Sequence, residues 1–299
     1  MPSNNPTNDN YLITPDQQHS LYSVQRLRQL EQQAISKLGA DGGFILMQRA
    51  AAAVLECLEQ QWPAPRKILV CAGAGNNGGD GYLLAALASS RGYQVQLYRH
   101  GDHTKLGKTA QMAADAAADA GVLLVTTISE ADLLIDALFG IGLNRPLDDA
   151  TQKLIQTIND SNKPVLAVDI PSGINADSGA AMPVAVKATA TVSFIGLKTG
   201  LLMQDGLEHV GQLWLSTLNL GSELASVEPD CQSLTAAKVG SLLPVRRVNS
   251  HKGHYGHVLV VGGDYGFAGA AIMTAQTAVN CGAGRVSLFS RTEHLNVML

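Results

Sequence analysis

The sequence is poor in paired cysteines, in aromatic residues and in charge, and each shortage excludes a class of protein. Its four cysteines, Cys57, Cys71, Cys231 and Cys281, are far apart along the chain. A structural zinc site needs Cys or His pairs at short intervals, so we expect none. Charged residues make up only 15% of the chain, the formal net charge is −4, and there is no long basic run. We therefore expect no nucleic-acid partner.

Two further absences concern membranes and export. No apolar run reaches the roughly 20 residues that a membrane span requires. The opening MPSNNPTNDNYL has no basic segment followed by an apolar one, so it is not typical of a signal peptide. We expect a cytoplasmic protein without a membrane partner. Hydrophobic residues are abundant at 46%, which is typical of a chain with a large buried core.

Helical and short apolar segments alternate along most of the chain. Residues 1–13 are polar and are predicted to be a disordered tail. A helix is predicted from Thr14, where Thr-Pro-Asp is a start signal, to about Lys37, and a second one from Gly43 to Gln61. Strands are then predicted, with helices between most of them, at residues 67–72, 94–98, 122–126, 133–137, 165–168, 189–195 and 212–217. This alternation predicts a mostly parallel sheet with helices on both faces.

A polar stretch, residues 219–233, interrupts this alternation and is predicted to be a linker. After it the sequence predicts a short helix at 236–243, a strand at 258–261 followed by a glycine loop and a helix, and a last strand at 285–290. These remaining residues are about half a normal domain. We therefore expect a second α/β unit that is incomplete.

A glycine-rich segment, GAGNNGGDG at residues 73–81, follows the first strand of the alternating region and precedes a predicted helix at 82–91. Glycines let a ligand approach the backbone amides, and a helix N-terminus favours an anion, so a phosphate-bearing ligand is indicated. The spacing G-x-G-x-x-G also fits a dinucleotide-binding dehydrogenase. Such an enzyme expects an acidic residue at the end of the second strand, where this sequence has Arg99; an arginine there could bind a 2′-phosphate. An NADP-dependent oxidoreductase therefore stays open.

Two further strands end in an acidic residue, Asp136 and Asp169. If the three strands are neighbours, their carboxyl ends converge on one crevice, which is where open parallel sheets bind ligands. Arg145, after Gly140 and Gly142, could pair with a phosphate oxygen. The oxygen-bearing side chains of Asn77, Asp136 and Ser172 suggest a hard cation, with potassium, magnesium and no cation all open.

The segments GAGNNGGDG, DALFGIGLNRP and VDIPSG, in that order and spacing, together with the later TVSFIGLKTG, resemble the NAD(P)H-hydrate epimerase family (the YjeF N-terminal domain). The resemblance covers roughly Thr14 to Leu220. It implies a Rossmann-like three-layer αβα sandwich and a homo-oligomer, with a dimer expected first. It also implies an isomerase of metabolite repair, which interconverts the R and S forms of hydrated NADH and NADPH at C6 of the nicotinamide ring.

The same resemblance implies roles for individual residues. Asp169 is expected nearest the reacting ring, as the carboxylate that accepts and returns a proton. Asn77, Asp136 and Ser172 are expected to bind one potassium ion. The residues expected to contact the substrate are Asn76, Asn77, Gly78, Gly79, Asp80, Gly140, Ile141, Gly142, Leu143, Asn144, Arg145, Pro146 and Asp169.

Beyond the linker, HKGHYGHVLVVGG at residues 251–263 and the Gly-Ala-Ala that ends at Ala271 resemble the opening of the ADP-dependent NAD(P)H-hydrate dehydratase family, which has a ribokinase-like fold. This predicts an epimerase domain at 14–220, a linker at 221–235 and the truncated start of a dehydratase domain at 236–299. Ala271 matches a position that touches the hydrated nicotinamide. Dehydration and binding of ADP or ATP are expected only where the rest of that domain is present.

Two alternatives to the isomerase remain. An NADP-dependent oxidoreductase would transfer hydride to or from a carbonyl or alcohol, and the lack of a Tyr-x-x-x-Lys or comparable donor pair counts against it. A non-catalytic dinucleotide-binding module would bind the ligand without turnover. The potassium ion, the dimer and the preference between the two dinucleotides are not fixed by the sequence.

Overall fold

A computed structural model of the protein describes residues 10–63, 67–128, 130–143, 145–243 and 245–298, with the side chain of Met298 excepted. The chain divides into two compact units, Met1–Lys238 and Val239–Leu299. The two units are described separately. No helix in these ranges is both long and apolar enough to cross a membrane.

The first unit is built on an eight-stranded sheet. Only its first edge pair is antiparallel, and all other neighbours run parallel. In spatial order the strands are β1 (Asn10–Leu12), β10 (Gln212–Ser216), β8 (Ala190–Phe194), β7 (Val165–Val168), β6 (Leu133–Ala137), β3 (Lys67–Ala72), β4 (Gln94–Arg99) and β5 (Leu123–Val125). The central strands are buried along their whole length, as expected for parallel strands covered on both faces.

Helices cover both faces of the sheet, as the sequence predicts. They are α1 (Val24–Leu38), α2 (Gly42–Gln61), α3 (Asn76–Ser90), α4 (Lys108–Asp119), α5 (Asp149–Asp160), α6 (Gly206–His209) and α7 (Gly221–Leu224). Apolar side chains of the first four pack into one core with alternate strand residues. On the other face α5 buries Leu154, Ile155 and Ile158 in a second core. Asp148 begins α5 by accepting a hydrogen bond from the Thr151 amide at 2.8 Å.

The strand order contains one reversal, between β3 and β6. The chain moves outward from β3 through β4 to β5, then returns to β6 and proceeds through β7 to β8 in the opposite direction. Open parallel sheets bind ligands outside the carboxyl ends of the strands at such a reversal. The prediction that the three strands followed by the glycine-rich segment, Asp136 and Asp169 are neighbours is therefore confirmed: β3, β6 and β7 are adjacent.

Three predictions near the ends of the first unit are wrong. Within the predicted tail, residues 10–12 form β1, and Asn10 also donates a side-chain hydrogen bond to Ala53 O at 3.0 Å. The first helix begins at Val24 and not at Thr14, because β2 (Ser20–Tyr22) buries Leu21 and Tyr22 against neighbouring strands. Tertiary pairing overrides the local helix-start signal.

The third correction concerns the predicted linker at 221–235. This segment contains α7 and the short strand β11 (Cys231–Gln232), which pairs with β2; β2 in turn pairs with β9 (Leu197–Lys198). The division between the units lies at Lys238 and Val239, beyond the predicted linker. Residues 221–235 pack against the first unit through β11 and β2, but most of their side chains lie on the surface, which explains the polar composition.

The glycine-rich segment is mostly helix, whereas the sequence predicted an open loop that leads to a helix at 82. Helix α3 begins at Asn76, so Gly78, Gly79 and Gly81 are helical. A Cβ atom on Gly78 would lie 1.9 Å from Gly73 O, and one on Gly81 would lie 2.6 Å from the Cβ of Ala137. These glycines let α3 start immediately beside the strand ends.

The second unit contains two parallel strands, β12 (His257–Val261) and β13 (Arg285–Phe289), joined by α9 (Ala268–Asn280). Helix α8 (Ala236–Leu242) spans the division between the units, and α10 (Leu295–Met298) ends the described chain. The predicted strand–glycine loop–helix order is confirmed here. Large apolar side chains remain exposed in this unit, among them Leu259, Val261 and Phe289.

Replacement of Gly78 by alanine tests whether α3 needs a glycine at this close approach. We expect Gly78→Ala to lower the free energy of unfolding by about 1–3 kcal/mol, since overpacking against a backbone carbonyl shifts the helix start. Gly107→Ala, before α4, is the control, because nothing lies within 4 Å of its added Cβ. Its effect should stay below about 1 kcal/mol. Equal urea denaturation curves for Gly78→Ala and the wild type would contradict the close packing.

Candidate active site

A cavity of about 500 Å³ lies at the carboxyl ends of β3, β6 and β7. Residues of α1 form one side and the start of α3 another. The glycine segment (residues 138–143) and Arg145 form a third wall. The rest of the lining is Asp169, which follows β7, then Phe194, Ile195 and Lys198 at the connection of β8 and β9, and finally Ala50 and Leu218. The volume is in the range of small-ligand sites, and the position matches the strand-order reversal.

The N-terminus of α3 is exposed to this cavity. Gly75, Asn76 and Asn77 line it, and no side chain among the described residues caps the helix. The first-turn amides of a helix have no intrahelical partners, and the helix dipole adds partial positive charge there. This end of the cavity is therefore suited to an anion such as a phosphate.

The glycine segment forms the neighbouring wall, and Arg145 adds a positive charge. Arg28 of α1 donates a hydrogen bond to Ile141 O at 3.2 Å, which ties the segment to the opposite wall. A Cβ atom on Gly140 would lie 3.3 Å from the Asn77 side chain, so this glycine allows the segment to approach α3. Asn144, also expected to contact the substrate, lies outside the described residues.

In the wall of the same cavity Asp169 and Lys198 form a buried ion pair. The Nζ atom of Lys198 donates to Asp169 Oδ1, to Ser193 Oγ at 3.1 Å and to Phe194 O at 3.0 Å, which uses all three N–H groups of the ammonium. Asp169 Oδ1 also accepts from the Phe194 amide at 3.2 Å. Lys198 is only 2% exposed. The pair therefore fixes the Asp169 carboxylate at the cavity wall.

The backbone at Asp169 is strained. Its φ of +70° lies in the left-handed region, and Ile195, a β-branched residue of the same wall, has a φ of +65°. Such conformations cost about 1–3 kcal/mol each and cluster at functional sites. Here the left-handed turn follows β7 immediately, and the Asp169 carboxylate contacts Phe194 and Lys198.

Two more carboxyl groups, those of Glu31 and Asp80, line the same cavity. Burial raises the pKa of Asp80 well above its usual value, and the charges of Asp169 and Glu31 raise this pKa further, against the effect of Lys198. Burial and the Asp169 charge also raise the pKa of Glu31, while Lys198 and Arg28 oppose that shift. The cavity thus carries more carboxyl groups than can be ionised together cheaply.

Asp136 and Ser172 lie behind the cavity wall. Asp136 is fully buried and accepts hydrogen bonds from Leu138 N at 3.2 Å, Ser172 N at 2.7 Å and Ser172 Oγ at 2.6 Å. Burial outweighs these bonds and raises the Asp136 pKa to about 6. Ser172 Oγ accepts from Phe139 N at 2.9 Å, and Asn77 packs beside Gly140. Asp136, Ser172 and Asn77 thus lie around the backbone of residues 138–140.

The structure brings most of the predicted site residues together. Those that line the cavity are Asn76, Asn77, Asp80, Gly140, Ile141, Gly142, Leu143, Arg145 and Asp169. In the described part of the chain, Gly78, Gly79 and Pro146 are not among the lining residues. Gly78 packs on Gly73 and Gly79 on Met47. Ala271 is a buried residue of α9 in the second unit.

Sequence reasoning missed the roles of Glu31, Arg28 and Lys198. Lys198 stands in the apolar run FIGLKTG, and a lysine in such a run was the available signal. Glu31 gave no comparable signal, because α1 resembles an ordinary amphipathic helix with polar residues on its outer face.

Comparison with known proteins agrees with this fold. The family model described as YjeF-related protein N-terminus matches residues 43–200. The chain belongs to this family. The crystal structure of yeast ynu0, YNL200c, superposes on this chain with a TM-score of 0.53 and 19% sequence identity. The superposition covers 62% of this chain and 84% of the yeast chain, and it shows that the two share a fold.

Several members with this domain are named enzymes. The chain is 39% identical over 283 residues to the bifunctional NAD(P)H-hydrate repair enzyme Nnr of Coxiella burnetii, covering 93% of this chain and 58% of that protein. The enzyme of the same name from Escherichia coli K12 is 36% identical, with 94% and 55% covered. The NAD(P)H-hydrate epimerase of Limosilactobacillus fermentum is 39% identical over 196 residues, with 63% and 91% covered. The chain thus spans somewhat over half the length of these bifunctional family members.

Removal of the lysine from the buried pair should destabilise the first unit. We expect Lys198→Met to lower the free energy of unfolding by about 3–5 kcal/mol, because it leaves the Asp169 carboxylate buried and unpaired. Lys37→Met, which breaks the exposed pair with Glu223, is the control and should have little effect. The double variant Lys198→Met/Asp169→Asn should recover part of the loss in urea denaturation. No loss in the single variant would contradict a buried, charged pair.

Proposed function

We propose that the first unit is an NAD(P)H-hydrate epimerase, an isomerase that interconverts the R and S forms of hydrated NADH and NADPH at C6 of the nicotinamide ring. One observation carries the proposal: a fixed carboxylate, Asp169, lines the same cavity as an uncapped helix N-terminus and Arg145. The relatives described above support it, since they are named NAD(P)H-hydrate epimerase or bifunctional NAD(P)H-hydrate repair enzyme.

The lining of the cavity offers groups that suit both parts of such a ligand. The diphosphate would lie at the start of α3, where amide groups and Arg145 favour negative charge. The hydrated ring would lie near Asp169. Its hydroxyl and carboxamide are uncharged hydrogen-bond donors, which suit a surface rich in carboxyl oxygens.

Inversion at C6 requires the hydroxyl to leave and return on the other face, or the ring to open and close again. Either route needs a group that accepts and returns a proton. Lys198 and the Phe194 amide hold Asp169 Oδ1, whereas Oδ2 has no hydrogen-bond partner among the described residues. Asp169 Oδ2 is therefore the proton-accepting atom in this proposal. No redox step occurs, so the dinucleotide is the substrate and not a cosubstrate.

A direct assay tests the function. The purified chain, incubated with one epimer of hydrated NADH, should produce the other epimer in a chromatographic time course. Asp169→Asn should reduce the rate at least about 10²-fold, with KM little changed, because the amide cannot accept the proton. Asp160→Asn, the same change on the exposed end of α5, is the control. Unchanged turnover in Asp169→Asn would remove this residue from the mechanism.

The same assay separates the two alternatives. An NADP-dependent oxidoreductase would change the oxidation state of its cofactor and would leave the hydrated epimer unchanged. A binding module would bind the dinucleotide without converting it. Arg99, considered above for a 2′-phosphate, has its guanidinium 5.5 Å from the centre of the Tyr82 ring and is not among the described residues that line the cavity. This placement favours the isomerase.

We also propose that one potassium ion is bound by Asn77, Asp136 and Ser172. The residues fit a cation. The Asp136 carboxylate is buried and has no basic partner among the described residues, and Asn77 Nδ2 is buried without a partner. A half-turn of that amide offers an oxygen in the same place. Hydroxyl, amide and carboxylate oxygens are ligands for hard cations. The ion would offset the Asp136 charge and hold the glycine segment.

Salt and pH together test the cation. The folded-state pKa of Asp136, about 6 against an ordinary 3.8, means that its ionisation destabilises the fold as pH rises between these values. A bound cation offsets this loss. At pH 7.5 the melting temperature should therefore be higher in KCl than in choline chloride at equal ionic strength. The difference should shrink at pH 5, where Asp136 is largely protonated. Asn77→Ala should abolish it; equal melting in both salts at pH 7.5 would contradict the site.

For the second unit we propose the start of an NAD(P)H-hydrate dehydratase domain. The first unit ends at residue 238, so an alignment that covers 93% of the chain must extend into the second unit. Contact of Ala271 with the hydrated nicotinamide, and the use of ADP or ATP, are proposed only for a protein that carries the whole domain. A cytoplasmic location and a homodimer complete the proposal; light scattering of the purified chain tests the dimer.

A further inference from the structure

Glu31 is a carboxyl group of the cavity that the epimerase mechanism above does not use. Helix α1 buries Leu27, Leu30 and Ala34 in the core, and this packing fixes Glu31 on the cavity wall. Glu31 has no hydrogen bond and no ion pair with any residue in the described part of the chain. It also lies outside the segment 43–200 that the family model matches.

Asp169 and Glu31 differ in their hydrogen-bond and ion-pair partners. Lys198 and a backbone amide hold Asp169 from one side, and Lys198 has no N–H group left for a second carboxylate. The guanidinium of Arg28, on the same helix as Glu31, donates to Ile141 O. Glu31 is thus half-buried and without a dedicated cation.

Four ionisable groups face Glu31 from the elements around the cavity. They are Arg28 of α1, Asp80 of α3, Asp169 after β7, and Lys198 of β9. Burial is the largest cause that raises the pKa of Glu31, and the Asp169 charge is the next. Carboxyl groups that share one site do not all ionise together, so this group of side chains tends to retain a proton, and Glu31 is one of the residues that can hold it.

We propose that Glu31 is the second proton-transfer residue of the epimerisation and that it acts opposite Asp169. This inference rests on the proposed function. Loss and return of the hydroxyl on opposite faces of a ring require a donor on one face and an acceptor on the other. The two carboxyl groups reach the same cavity from different elements, α1 and the end of β7.

The step balances without a further reactant. Protonated Glu31 gives its proton to the C6 hydroxyl as the C6–O bond breaks, the bonding pair leaves with the oxygen as water, and the ring nitrogen lone pair forms the C6=N1 iminium. Water then adds to C6 on the opposite face, the π pair returns to nitrogen, and Asp169 accepts the released proton. In the reverse direction the two residues exchange roles, as microscopic reversibility requires.

Glu31→Gln tests this assignment. We expect kcat to fall about 10²–10⁴-fold with KM within about threefold of the wild type. The wild-type rate should fall at high pH, where Glu31 has lost the proton that it donates. The residual rate of the variant should lack this fall, since glutamine has no proton to lose. Glu208→Gln, the same change on the exposed helix α6, is the control and should retain the wild-type rate and pH profile.

The outcomes separate this inference from the proposed function. If the wild type epimerises and Glu31→Gln keeps its kcat and pH profile, Glu31 takes no part and the inference fails alone. A rise in KM with unchanged kcat would likewise overturn it and leave a binding role. If the wild type does not epimerise, both fail. As a second measurement, turnover in H₂¹⁸O should place ¹⁸O at C6 with each inversion; retention of the original oxygen would overturn the water-loss step.

Discussion

The ion pair between Asp169 and Lys198 is the constraint on which the site depends. A carboxylate on the wall of a ligand cavity has little reason to keep one orientation, but here an ammonium group, a backbone amide and a left-handed turn all act on it. The cost of two buried charges is met by complete hydrogen bonding of the lysine. Because one carboxylate oxygen is fully engaged, the other is the one without a partner among the described residues, on the wall of the cavity.

The sheet determines where this pair meets the rest of the site. Only at the reversal of strand order can the ends of β3, β6 and β7 approach one ligand without an intervening helix. Close approach there depends on small residues: Gly78 packs on a carbonyl, and Gly140 packs beside Asn77. The glycines that follow β3 and β6 therefore serve close packing, and polar groups are supplied by neighbouring side chains.

The sequence predicted the parallel sheet and the neighbouring strand ends well, because buried parallel strands are short continuous apolar runs and their ends carry acids. It predicted the start of α3 poorly, since GNNGGDG has low helix propensity and only packing against the strands makes it helical. The motif TVSFIGLKTG contains Lys198, but the sequence alone indicates no role for this lysine. Glu31 could not have been chosen, because only the fold brings it to the same cavity as Asp169 and Lys198, which are more than a hundred residues away along the chain.

The small sheet formed by β11, β2 and β9 links distant parts of the chain. Just before β11, Asp230 accepts hydrogen bonds from Ser23 N at 2.7 Å and from Arg26 Nε at 2.9 Å, which anchors the first turn of α1. Strand β9 contains Lys198 itself. The stretch that leads to the second unit thus holds the start of α1 directly, and it is joined to β9 through β2. A recombinant fragment that ends at residue 220 would lose these contacts. A fragment made to study the first unit alone should therefore extend to about residue 238.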